Sequence, residues 1–420
     1  MPDFKKNKIS RVLIIGYVWP EPDSSAAGSR MMQLIEFFLS QNWQITFASA
    51  ATESEHRFTF ESLGINKAEI KVNSACFDNF IRELNPDIVL FDRFIMEEQF
   101  GWRVTQHCPN AIQILETVDL HCLRDARYQA LKQQRSYNKS DLFSETAQRE
   151  IASILRCDLS LLISDHEIKI LTEEFKVDSS LLLYLPFMLD NIKTAQQNTL
   201  PNYEQRQHFI SIGNFRHQPN WDSVLYLNQT IWPLIHKKLP QAEMHIYGAY
   251  PPPKANQLHN PDKNFYILGW AKSAKEVMQN ARICLAPLRF GAGLKGKLLD
   301  AMQYGTPSIT TDIGAEGMHG NIDWNGAIEN EPEKFAKAAI DVYSNKSQWQ
   351  DAQKKGLEII NTVYDKAVYS EVFIDRILML KINLQEHRLN NFTGAMLKHH
   401  SMKSTQYMAQ WIEAKNKLST

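Results

Sequence analysis

What most constrains this chain is a repeated alternation: a short aliphatic run, a loop, a helical stretch, then another aliphatic run. Val12-Leu13-Ile14-Ile15 ends in Gly16, and four consecutive aliphatic residues suit a strand buried on both faces, as in a parallel sheet. A loop rich in Pro, Ser, Ala and Gly follows over 20–29. Met31, Leu34, Ile35, Phe38 and Leu39 then recur at helical spacing, and residues 45–48 form the next strand. This strand–loop–helix–strand unit predicts a doubly wound α/β domain. Further buried strands are expected at 87–91, 111–115, 159–163 and 181–185. A helix is expected over 141–156, capped at Ser140 or Asp141.

The scheme then restarts. A polar stretch with Pro201 and no apolar periodicity reads as a linker. After it come strands at 209–212, 244–247, 265–268, 283–286 and 308–311, with a helix over 221–239. A chain of 420 residues is long for one hydrophobic core. The expected division is therefore 1–190, a linker over 191–207, 208–380, and a helical segment over 381–420. The fold class is α/β, with two Rossmann-like doubly wound domains facing across a cleft. The end of the chain (Met396, Met402, Tyr407, Met408, Trp411, Ile412) is apolar enough to pack back on the first domain.

Composition narrows the function. A net charge of −1 gives no electrostatic case for nucleic acid as the main partner. Cys76, Cys108, Cys122, Cys157 and Cys284 lie far apart without a CxxC pair, which suits neither a disulfide framework nor a zinc site and fits a reduced, cytoplasmic protein. Lys5, Lys6 and Lys8 precede an apolar run too short for a signal-peptide core or for a span of about 20 residues. A soluble protein is expected.

The densest chemical signal is residues 288–302, Leu-Arg-Phe-Gly-Ala-Gly-Leu-Lys-Gly-Lys-Leu-Leu-Asp-Ala-Met, which follow a strand and open a helix. Gly291, Gly293 and Gly296 let the backbone approach a ligand and turn N–H groups toward it. The helix N-terminus adds positive potential, and Lys295 and Lys297 add charge. Together they predict an anion site. The segment is not a GxxxxGK[ST] loop, and no GxGxxG follows the first strand, where a dinucleotide site needs it. Asp300, one turn into the helix, suits a pair of ribose hydroxyls.

Residues 291–302, with Tyr304-Gly305-Thr306-Pro307 and Gly314-Ala315-Glu316-Gly317 after them, resemble the donor-binding region of retaining GT-B glycosyltransferases of family 4. Residues 209–221 (FISIGNFRHQPNW) resemble the start of that family's second domain. The resemblance implies a nucleotide-sugar donor, UDP- or GDP-linked, and a glycan or lipid-linked acceptor. It implies donor contacts from Gly291, Gly293, Leu294, Lys295, Lys297, Asp300 and Glu316, with Lys297 at the diphosphate. The family's usual Glu is Asp at 300. The first Glu of its E-x7-E pattern is Ala292 here, so the backbone N–H groups of 291–294 are expected to serve instead.

On the same resemblance His121, after a first-domain strand, touches the sugar or acceptor, with Asp119 and Arg124 beside it. Gly28 approaches the phosphates and acceptor, Arg30 binds an anionic acceptor group, and Arg216 clamps phosphate oxygens. His121, Lys297 and Arg216 are the expected catalytic set. No Asp-x-Asp metal motif, GxSxG elbow or framed carboxylate pair is visible, so neither metal nor cofactor is expected beyond the donor itself. A lipid-linked acceptor implies peripheral contact with the inner face of a membrane. A GT-B nucleotide-sugar epimerase and a non-catalytic nucleotide-sugar or glycan-binding protein are the alternatives.

Overall fold

The computed structural model describes residues 10–418, so Lys5, Lys6 and Lys8 lie outside the described residues. The first sheet contains β1 (Arg11–Gly16), β2 (Gln44–Ser49), β3 (Asn66–Glu69), β4 (Ile88–Asp92), β5 (Ile112–Glu116), β6 (Leu159–Leu162) and β7 (Leu182–Tyr184). The second contains β8 (Gln207–Ile212), β9 (Met244–Tyr247), β10 (Phe265–Gly269), β11 (Ala281–Ala286), β12 (Ser308–Thr310) and β13 (Gly326–Ile328). Their orders are 3-2-1-4-5-6-7 and 10-9-8-11-12-13, and the paired strands run parallel. In each sheet the order reverses beside the first strand, between β1 and β4 and between β8 and β11. Open α/β sheets bind ligands at such switch points, beyond the carboxyl ends of the strands.

Aliphatic runs fill both faces of the first sheet. Val12, Ile14 and Leu90 point to one layer of helices, and Leu13, Ile15, Val89 and Phe91 to the other. Two strands escaped the hydrophobic pattern. β3 is a mostly exposed Asn-Lys-Ala-Glu edge, and β13 is a three-residue edge; edge strands are held by their neighbour and tolerate charge.

Two expected helices differ in detail. Over 141–156 the helix proper is Glu145–Arg156, capped by Ser144, and a short 3-10 turn at Lys139–Leu142 precedes it. Over 221–239 the helical run divides into Gln218–Tyr226, a π turn at Leu227–Ile231 and Trp232–His236. Pro233 lacks the N–H that an uninterrupted helix needs there.

The C-terminal segment forms helices Lys366–Asn390 and Phe392–Leu418. Phe373, Ile377, Leu380 and Leu384 complete the first domain's core, and the Phe373 ring lies 4.6 Å from that of Phe37. Met402 and Ala409 pack on Trp102 of the first domain.

Candidate active site

The second-domain wall of the cleft begins where β11 ends. Gly291 (φ 153°) and Gly293 (φ 62°) turn the loop, and the helix Gly296–Gln303 starts after Lys295 without a side-chain cap. Its first N–H groups therefore need partners from elsewhere. Lys297 Nζ donates to Asn220 Oδ1 at 2.7 Å, and burial pulls its pKa down to about 8. Asp300 lies on the same helix face one turn later; burial alone pushes its carboxyl up to about 7.

Lys295 behaves differently from the expectation of a second lysine pointing at the ligand. It is 8% exposed, and its ammonium donates to Gly293 O at 2.7 Å. Burial lowers its pKa to about 8, against the pull of Glu316. It braces the loop from behind. Leu294 is buried in an apolar cluster with Ile163, Phe187 and Leu298, which leaves only its backbone to meet a ligand.

The first-domain wall begins at the end of β5. Val118 takes a left-handed φ of 66°, and His121 opens the helix His121–Lys132. Leu120 offers that helix no side-chain cap; Glu150, from a neighbouring helix, accepts the N–H groups of His121 (2.9 Å) and Cys122 (3.0 Å) instead. His121 Nδ1 lies 3.3 Å from Glu150 Oε1 and 3.2 Å from Asp119 O. Burial lowers its pKa, but the Asp119 and Glu150 carboxylates outweigh it and the net shift is upward. Asp119 is paired with Arg124. Burial works against its ionisation, yet Arg124, His121 and His217 hold it well below the usual carboxylate range.

The walls touch. Gly293 N–H donates to Glu167 Oε1 at 2.8 Å. Arg127 donates to Gly291 O at 2.9 Å and grips both oxygens of Glu316, at 2.9 and 2.8 Å. A Cβ on Gly293 would stand 2.8 Å from Asp119 Cβ, and one on Gly296 would stand 2.6 Å from Ala26 Cβ. These approaches require glycine. Farther out, Tyr250 OH donates to Glu21 at 3.0 Å, and Trp270 Nε1 to Asp23 O at 3.1 Å.

Two expected acceptor-side residues come out differently. Arg30 is 1% exposed; it donates to Pro186 O at 2.6 Å and pairs with Glu116 at 3.3 Å. An acceptor has no access to it, because Arg30 lies on the buried face of the helix Ala26–Ser40. Gly28 lines the cleft, but its N–H is taken by Ser25 Oγ at 3.0 Å. Its lack of a side chain lets the helix pass Glu21 O, which a Cβ would meet at 2.3 Å. Arg216 is exposed in the same cleft, its guanidinium 3.7 Å from the Tyr250 ring centre.

Residues 206–345 match the family model of glycosyl transferases group 1. Sucrose-phosphate synthase from Thermosynechococcus elongatus superposes with a TM-score of 0.67 at 13% identity, over 88% of this chain and 99% of that one. WaaG, a glycosyltransferase involved in lipopolysaccharide biosynthesis, gives 0.60 at 13%, over 87% and 99%. Anabaena HepE, solved with UDP and glucose, gives 0.62 at 10%, over 87% and 98%. The fold is GT-B. A 44.6 kDa protein in the cps region of Klebsiella pneumoniae is 25% identical over 245 residues, 56% of this chain. The chain spans 58% of that relative's length.

In GT-B terms, the cleft brings together His121, Asp119 and Arg124 from one wall and residues 291–300 from the other. Arg216 and Gly28 sit farther out. Sequence reasoning missed Asn220, Arg127, Glu150 and Glu167. Glu150 and Glu167 left one trace: each is an acid on an otherwise apolar helix face, beside Ala147 and Ile154 or beside Leu171. Buried acids without a local partner point to a distant one.

Proposed function

We propose that this protein is a retaining glycosyltransferase that moves a sugar from a nucleotide diphosphate to a glycan or lipid-linked acceptor. One observation carries the reading: Lys297 and Asp300 share a face of an uncapped helix that opens on the cleft opposite His121. The free N–H groups and Lys297 suit the diphosphate, and Asp300 suits the ribose hydroxyls. The acceptor oxygen bonds to the anomeric carbon as the carbon–oxygen bond to the diphosphate breaks. The acceptor's proton leaves on the departing phosphate oxygen. Negative charge grows on that phosphate, and Lys297, the helix N-terminus and Arg216 stabilise it.

His121 places the sugar, while Lys295, Glu316 and Arg127 hold the loop in shape. The UDP and glucose in HepE, the lipopolysaccharide role of WaaG and the cps location of the Klebsiella relative support a donor and acceptor of these classes. Such an acceptor would bring the protein to the inner face of a membrane as a peripheral enzyme. No helix among the described residues is long and apolar enough to cross one. A thermal-shift panel of UDP, GDP, ADP and their sugars tests the donor site. Stabilisation by one nucleotide class is expected, and none from any member would sink the reading.

A further inference from the structure

We propose that Glu167 is a positioning residue that ties the His121 loop of the first domain to the glycine loop of the second. It fixes the register in which the two walls meet. The importance of that register rests on the donor-site reading above; the tie itself does not. Glu167 Oε1 accepts two backbone N–H groups at once, from Leu120 at 3.0 Å and from Gly293 at 2.8 Å. Leu120 immediately precedes the helix that His121 opens, and Gly293 lies in the loop that leads to Lys297. One oxygen atom therefore sets both loops.

The surroundings make this a built contact. Glu167 is wholly buried on the helix Asp165–Glu173, and its Oε2 has no hydrogen-bond partner among the described residues. A bare carboxylate oxygen in that setting is costly, whereas a protonated carboxyl is tolerated. Asp119, Cys122 and Lys295 are the titratable groups that face it. Burial and the Asp119 charge push its pKa up to about 8, against the two amides and Lys295. Gly293 has the left-handed φ that turns its N–H toward Glu167, and a Cβ there would meet Asp119 Cβ at 2.8 Å and Val118 O at 3.1 Å.

The contact also removes one donor from the ligand's side. Gly293 N–H serves Glu167, so it is not among the backbone groups available to a sugar or phosphate in this arrangement. Arg127 is a second strap on the same loop, through Gly291 O and Glu316. Opening the cleft at this point breaks both.

Hydrogen exchange on the full chain without ligand reads the tie directly, by comparing segments 118–123 and 288–298 in wild type, Glu167→Ala and Glu167→Gln. Alanine is expected to speed exchange about tenfold in both segments, the effect of losing one buried acceptor. Glutamine keeps a neutral acceptor oxygen and should hold exchange within about twofold of wild type. An unchanged 288–298 segment in the alanine variant, or glutamine behaving like alanine, overturns the proposal.

Corrected for the intrinsic rate, wild-type protection should fall as pH rises from about 4.3, the free glutamate value, to about 8 and level off above it, while the glutamine variant stays flat; parallel pH curves also overturn it. That wild-type curve needs no foldable alanine variant. Where the nucleotide panel yields a donor, Glu167→Ala should raise its KM about tenfold with a smaller loss in kcat. If no nucleotide binds, the function reading fails while the exchange result stands.

Discussion

The two walls of the cleft differ in how their charges are satisfied. On the first-domain wall Asp119 pairs with Arg124, His121 leans on Glu150, and Arg30 pairs with Glu116. Opposite them, Lys297 has one neutral partner, Asn220, and burial is the only cause of the Asp300 shift. The first wall pairs most of its charges with one another. The second holds a cation and an acid whose ionised forms the folded protein does little to stabilise, a condition that a polyanionic ligand with vicinal hydroxyls would relieve. Substitutions of the paired charges on the first wall, Asp119, Arg124, Glu116 and Arg30, should therefore register mainly in stability, and those on the second in function.

The sharpest way to break this contrast is Asp119→Ala, which leaves the partly buried Arg124 without its partner. A loss of about 3–5 kcal/mol is expected in denaturant unfolding, and an unchanged midpoint would show that the first wall is not held by its ion pairs. Lys297→Met should lower transfer by a factor of about 10²–10³, the range for removing one charge-stabilising group. Its melting temperature should hold or rise, because a buried lysine with a lowered pKa is a cost to the fold. A fall in both quantities would place Lys297 with the first wall.

pH separates the walls further. Lys297 titrates near 8 in the folded protein and near 10.4 unfolded, so the unfolded state binds more protons between those values. Its contribution to stability then improves as pH rises through that window. Donor binding runs the other way: the diphosphate needs the ammonium, so affinity should weaken above pH 8 by up to about tenfold per pH unit. Titration calorimetry at several pH values reads this slope, and a flat profile removes Lys297 from the diphosphate. Smallest is Arg216→Ala. It is exposed and stacked on Tyr250, and should cost about 1 kcal/mol of donor affinity.

The strands carrying the two switch points were legible because buried parallel strands are rich in apolar residues: β1 and β4 have unbroken apolar runs, and β5, β8 and β11 have apolar residues broken by one or two polar ones. The glycine-rich turn into the helix Gly296–Gln303 was legible because three glycines and two lysines crowd into residues 291–297. The course of its first lysine was not legible, since nothing local shows whether a side chain faces the cleft or returns to its own loop. Lys295 returns. Arg30 was misread for the same reason: its partner Glu116 is 86 residues away.

By itself, then, the sequence determined the periodicities that make strands and helices and the glycine-rich turn at 291–296, because both arise within a few residues. Only the tertiary structure decided which charges face the cleft and which are spent on each other. Glu167 meets Gly293 across 126 residues and Arg127 meets Glu316 across 189. Such pairs arise when two separately wound sheets meet, at a separation that neither hydrophobic period nor motif spacing encodes.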